Sequence, residues 1–331
     1  MRPRTTPGSD GAAVEEVAEQ FREPNRTLQH SAGGRSFAWL AAPVTIIVGA
    51  DPPAMPETIQ TERHPTDDRI ELIRLDAPER SNVIDLQMLH ELTEAVVAAD
   101  RDDGVRGIVL GATGDAFCAG ASLQELSDLE FEEGARWLTA YFDVLDILRD
   151  TGKPVVAGVE RTCVAGGNEL ASACDLIVAG ESAEFGQPEL GVGSTAAGGG
   201  VQLLPLMVGE KRARDLLLTG RLLTAGEAKA IGLINRVVED GSAEARAVEL
   251  VGTIVDDKSP QAYRTIKAAM KQWTNLGLTG QEMARDLTAR VWDSEEFRER
   301  ADTFLAREEF DPRPFQGTRP RDPQAGGGSE G

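Results

Sequence analysis

Between Arg69 and Val238 the chain alternates short apolar runs with amphipathic stretches, and after Ser242 only helical patterns remain. Ile70-Glu71-Leu72-Ile73-Arg74-Leu75 alternates apolar with polar residues, the mark of a half-buried strand. Asp85 is placed to cap a helix whose apolar face is Leu86, Leu89, Leu92, Val96 and Val97. A short buried strand follows at 107–111, then a long amphipathic helix at about 132–149 that Lys153-Pro154 halts. Residues 155–159 and 175–179 read as strands on either side of a helix at about 167–173. Gly198-Gly199-Gly200 opens a further helix, Thr224 caps one at 225–231, and 233–238 returns as strand. Strands alternating with helices, then helices alone, predict an α/β core (65–255) with a helical C-terminal region (256–310). The apolar faces of those last helices suit either oligomerisation or packing on the chain's own core.

The flanks differ. Residues 1–64 are rich in Pro, Gly, Arg and Thr, and periodic structure starts at Arg69, so a disordered N-terminal extension is predicted, with one short helical candidate at 12–22. Met55 is a second candidate start, so 1–54 read either as a disordered arm or as an overextended beginning. The tail 311–331, with its Gly-Gly-Gly-Ser, is predicted to be disordered at its end. The apolar stretch 37–50 is broken by Pro43 and is shorter than the roughly 20 residues of a membrane span.

Charge narrows the function classes. With 55 acidic against 34 basic residues the net charge is −21, which argues against a nucleic-acid surface and favours a cytoplasmic protein without a membrane partner. An anionic ligand would need a local basic patch. Three cysteines without metal-type spacing suggest free thiols, and His30, His64 and His90 are scattered, so neither a Ser-His-Asp triad nor a metal site is expected.

Two glutamates stand out. Glu169 lies in Val164-Ala165-Gly166-Gly167-Asn168-Glu169-Leu170 and Glu189 in Phe185-Gly186-Gln187-Pro188-Glu189-Leu190, each beside glycine or proline at the edge of an apolar run. Two carboxyls facing one pocket can divide acid and base work if their surroundings hold their pKa values apart. Glu169 near a helix start should favour its ionised form. A third turn, Ala116-Phe117-Cys118-Ala119-Gly120-Ala121-Ser122-Leu123, offers backbone N–H groups to the same space. Cys118 and Cys163 flank these turns, but no histidine is near to activate a thiol, so both read as packing residues. Asp175 reads as a structural carboxylate, and Gly198-Gly199-Gly200 as letting its helix approach the site wall, with anion binding a weaker reading.

With Pro78-Glu79-Arg80-Ser81-Asn82-Val83 ahead of them, these turns occur in the order of the crotonase (enoyl-CoA hydratase/isomerase) family, which the chain resembles over roughly 69–317. The resemblance implies a repeated ββα superhelix, a homotrimer or dimer of trimers, and an acyl-CoA thioester substrate with no metal or separate cofactor, coenzyme A being part of the substrate. It implies that Ala121 and Gly166 supply the two N–H groups of an oxyanion hole, that Glu169 activates water, and that Glu189 exchanges the α-proton. Ala119, Ser122 and Leu123 would line the substrate, and Arg80 and Lys267 would meet its phosphates. Ser122, Asn168 and the loop Gly193-Ser194-Thr195-Ala196-Ala197 depart from the family pattern, which leaves a branched or cyclic acyl group open. Hydration of an enoyl-CoA is the expected reaction. Isomerisation of the double bond, hydrolysis of a cyclic β-keto acyl-CoA and a non-catalytic scaffold or RNA-binding role are the alternatives.

Overall fold

The computed structural model describes residues 57–310, within the compact unit Met55–Gly331. The expectations for 1–56, including the helix at 12–22, and for 311–331 lie outside the described residues. Structure begins earlier than Arg69. Strand β1 (Ile59–His64) pairs antiparallel with β2 (Asp67–Leu75), from Ile59 opposite Leu75 to Arg63 opposite Glu71. This corrects the expectation of disorder through residue 64. Only Ile59 of β1 is buried, so the strand shows no apolar alternation and is held by backbone pairing at a sheet edge.

Helix α1 (Leu86–Arg101) is capped as expected, the Asp85 carboxylate accepting the Met88 N–H at 2.8 Å. Then follow β3 (Gly107–Ala112), β4 (Ala116–Cys118), α2 (Leu123–Ser127), α3 (Phe131–Asp150), β5 (Val155–Val159), β6 (Thr162–Val164), α4 (Gly166–Ala173), β7 (Leu176–Gly180) and β8 (Glu184–Gly186). A 3-10 turn at Glu189–Val192 leads to α5 (Gly200–Val208), α6 (Glu210–Thr219), β9 (Leu223–Thr224), α7 (Ala225–Ala230) and β10 (Arg236–Val238). Helices α8 (Ala243–Asp257), α9 (Pro260–Gly277), α10 (Gln281–Trp292) and α11 (Glu295–Leu305) end the described chain.

Two sheets organise these elements, one in the order β1-β2-β3-β5-β7-β10 and one in the order β4-β6-β8-β9. The neighbours β2, β3, β5, β7 and β10 are parallel, as are β4, β6 and β8. Each of β3→β4, β5→β6 and β7→β8 steps from the first sheet to the second before the chain returns, which is the expected ββα coil. Side chains alternate across the first sheet: Ile73, Leu75, Ile108, Leu110 and Ala157 enter the main core, and Ile70, Leu72, Val109, Val156 and Val178 meet Ala247, Leu250 and Val251 of α8. Strand β2 is therefore buried on both faces rather than one, because α8 covers the side read as open.

The C-terminal region divides. Helices α10 and α11 bury Thr288, Ala289, Trp292, Phe297 and Ala301, and the Trp292 ring meets Trp137 of α3 edge-on at 5.6 Å. Helix α9 buries no residue and leaves Ile266, Met270, Trp273 and Leu276 exposed along one face. Among the described residues no helix is long and apolar enough to cross a membrane.

Candidate active site

Strands β4, β6 and β8 lie side by side and parallel, so the turns at their C-terminal ends are neighbours, about 4.8 Å from strand to strand. In the first turn Ile84 N–H donates to the Gly120 carbonyl and Ser122 N–H donates to the Ile84 carbonyl, both at 2.8 Å. These bonds straddle Ala121, so its own N–H points to the opposite side, away from Ile84. In the second turn Ala165 adopts φ 52°, ψ −128°, a backbone region that favours glycine. That bend starts α4 at Gly166, whose N–H is one of the unpaired donors of a helix start. A Cβ on Gly166 would lie 3.6 Å from the Ala121 nitrogen, and one on Gly120 would lie 2.8 Å from Ala165 Cβ. The two turns abut, and their amides are drawn together.

Glu169 is buried on the first turns of α4. Its Oε1 accepts the Gly200 N–H at 2.8 Å and its Oε2 lies 3.4 Å from the Tyr141 hydroxyl. Burial pushes its carboxyl up to about 7, against the opposing pull of the Gly200 N–H, the Arg149 charge and the Tyr141 hydroxyl. The expectation that the dipole would keep Glu169 readily ionised is corrected: desolvation outweighs it. The glycine-led helix does receive an anion at its start, and that anion is Glu169 itself.

Glu189 opens the 3-10 turn after β8. Its Oε2 is shielded and has no hydrogen-bond partner among the described residues. With the Gln187 amide oriented to satisfy its neighbours, its nitrogen donates to Glu189 Oε1 at 2.9 Å and to the Ala165 carbonyl at 3.1 Å. Burial, and secondarily the charge of Glu169, hold the Glu189 carboxyl well above the ordinary carboxylate range. Because the two carboxyls interact, their protons come off as a pair and not from either residue alone. Two carboxyls of raised proton affinity thus share one neighbourhood.

Several sequence expectations resolve differently. Lys267 does not reach this site: its Nζ donates to Asp175 Oδ2 at 2.8 Å, the Lys153 carbonyl at 3.2 Å and the Leu148 carbonyl at 3.4 Å, which uses all three of its protons. Asp175 is the structural carboxylate expected, also accepting from Val155 N–H and the Tyr263 hydroxyl. Arg80 sits beside the first turn but is paired with Asp85, the cap of α1. Ala119 N–H donates to the Ser81 carbonyl at 3.1 Å, Ser122 caps α2 through the Glu125 N–H, and Leu123 begins that helix. Cys118 and Cys163 are fully buried, and burial raises both thiols, Cys118 to about 12, as befits packing residues.

Tyr141 was legible only as part of the apolar face of α3. Its hydroxyl donates to the Gly166 carbonyl at 2.6 Å, tying the second amide turn to the neighbourhood of Glu169. Gln187, which sits in the segment 185–190, and Arg149, near the end of α3, reach this site only through tertiary folding.

The pattern of the Enoyl-CoA hydratase/isomerase family matches residues 66–313. The chain belongs to that family. It is 40% identical over 182 residues to a "Probable enoyl-CoA hydratase" of Rhizobium meliloti (strain 1021), covering 55% of this chain and 69% of that protein. A "Crotonyl-CoA hydratase" of Syntrophomonas wolfei is 34% identical over 174 residues, covering 52% of this chain and 67% of its own length. The crystal structure of an enoyl-CoA hydratase/isomerase from Xanthobacter autotrophicus Py2 superposes with a TM-score of 0.68 at 29% identity, over 75% of this chain and 93% of that one. The chain is thus an enzyme of the crotonase family, with the fold that its four ordered motifs implied.

Proposed function

We propose that this enzyme is an enoyl-CoA hydratase, adding water reversibly across the 2,3-double bond of an acyl-CoA thioester. The observation that carries this reading is the pair of carboxyls, Glu169 buried and Glu189 with a shielded Oε2, both raised in proton affinity beside two adjoining backbone amides. In the proposed reaction Ala121 and Gly166 N–H hold the thioester oxygen as it gains charge. Each such donor is worth on the order of 3 kcal/mol. Glu169 takes a proton from water as its oxygen bonds the β-carbon, and Glu189 gives its proton to the α-carbon. An open, largely apolar recess of about 330 Å³ beside Glu189, lined by Ala196, Val201, Pro205, Ala213 and Leu217 with Glu210 and Arg214 also at its wall, gives an acyl chain an apolar surface to lie against.

The rival hydrolysis of a cyclic β-keto acyl-CoA drew on Ser122 and Ser194 as polar groups of the acyl pocket. Both hydroxyls are committed elsewhere, Ser122 to the α2 cap and Ser194 to the indole of Trp292. The test is loss of the conjugated enoyl absorbance when purified protein meets crotonyl-CoA. Rapid, reversible loss with a 3-hydroxyacyl product is expected. No turnover with any straight-chain enoyl-CoA would remove the proposal.

Assembly as a homotrimer or dimer of trimers belongs to the same reading. Ile266, Met270, Trp273 and Leu276 fall at the i, i+4, i+7, i+10 spacing of one α9 face, with Trp273 70% exposed. Trp273→Glu is expected to shift the protein toward monomer in sedimentation velocity. A wild-type protein that sediments as a monomer would refute the assembly.

A further inference from the structure

Glu189 has a weakness that Glu169 lacks. Glu169 stands on a helix and is anchored by Gly200, whereas the Glu189 carboxyl is held through Gln187 and its own backbone N–H, with no donor to Oε2 from another of the described residues. Its position therefore depends on the backbone of the turn Glu189–Val192 and of the loop that follows it. Ser194 N–H donates to the Glu189 carbonyl at 2.9 Å, so the loop and the glutamate move together.

That loop is gripped from outside by the C-terminal helices. Trp292 Nε1–H donates to Ser194 Oγ at 2.8 Å in the buried interior. The Thr195 and Thr288 hydroxyls share a hydrogen bond, and Arg300 Nη1 donates to the Gly191 carbonyl at 3.0 Å. Gly193 passes so near α11 that a Cβ would fall 3.0 Å from Arg300 Cδ, and its φ of +76° also favours glycine. The grip has a packed base, because Trp292 lies between Trp137, which it meets edge-on, and the tilted ring of Phe297, with ring centroids 5.6 and 6.3 Å away.

We propose that Trp292 is a positioning residue for Glu189: through Ser194 it braces the loop 190–197 and so fixes the second carboxyl against the first. This rests on the reading of Glu189 as the group that handles the α-proton. The brace gives the residues of this loop that depart from the family pattern a use, since Ser194 and Thr195 are two of the three gripped points.

Trp292→Phe keeps an aromatic ring between Trp137 and Phe297 and removes the N–H. Hydrogen exchange of the full-length protein is expected to quicken about tenfold in peptides covering 189–197 and to stay unchanged in 166–173. With crotonyl-CoA, kcat should fall at least tenfold at nearly constant KM, the signature of a misplaced reacting group. Trp292→Phe with Ser194→Ala should be no worse than Trp292→Phe alone, because one bond is lost in both. Unchanged exchange at 189–197, equal loosening of α4, or additive losses in the double variant would each overturn the brace. Should wild type leave crotonyl-CoA untouched, the proposed function fails while the exchange measurement still decides the brace.

Discussion

Glu169→Gln is expected to cut enoyl-CoA hydration by about a thousandfold, within the range general acid–base groups contribute, and to stabilise the protein above neutral pH. The amide keeps an oxygen for the Gly200 N–H but cannot accept a proton from water. The stability effect follows from the raised carboxyl. Folded Glu169 releases its proton at about 7, against 4.5 for an ordinary glutamate. The unfolded chain therefore ionises first as pH rises, and folding is increasingly disfavoured between those two values. The stabilisation is complete below 4.5 and is lost by the time pH has passed 7, a span of about 3 kcal/mol at 1.36 kcal/mol per unit. The glutamine variant, which has no proton to release there, escapes this loss. Denaturant midpoints at pH 5, 6, 7 and 8 should show the variant pulling ahead of wild type as pH increases. A gap independent of pH would mean that Glu169 is not a strained carboxyl, and retained turnover would remove it from the chemistry.

Gly198→Ala is expected to lose about a hundredfold in kcat, the scale of a misplacement near 1 Å, though residue 198 supplies no reacting group. A Cβ at this position would lie 2.5 Å from Glu169 Oε2 and nearer still to the Tyr141 ring. Neither neighbour can retreat easily: both are buried, and Tyr141 is tied to the Gly166 carbonyl. The methyl should therefore rotate the carboxylate off Gly200 and strain the phenol, with an overpacking cost of about 1–3 kcal/mol. Gly252→Ala, where nothing lies within 4 Å of the added carbon, is the control and should leave kcat unchanged. Equal behaviour of the two variants would show that the Glu169 pocket is looser than its packing implies.

The parts of the fold that the sequence displayed are those with several residues of period. Helix α1 announced itself through Asp85 and its apolar face, and β5 and β7 through unbroken apolar runs. The second sheet was invisible as a sheet because β4, β6, β8 and β9 have three, three, three and two residues, too few to show alternation. Helix α6 is half charged and buries only Ala213 and Leu216, so it carried little signal. In the site, the turns and glutamates were legible because glycine and proline mark sharp bends. Tyr141, Gln187 and the Ser194–Trp292 bond depend on contacts between elements distant in sequence, which no local pattern encodes. Lys267 misled for the same reason, since three acceptors from α3, the segment before β5 and the bend before β7 surround it.

In the proposed reaction the parallel ends of β4, β6 and β8 deliver two different kinds of tool. At 169 and 189 the tool is a side chain, which a single codon change can exchange for another reagent. At 121 and 166 it is the peptide itself, which every substitution except proline leaves in place. On the proposed reading, a lineage built on this scaffold can therefore change what it does to a thioester far more readily than it can stop holding one.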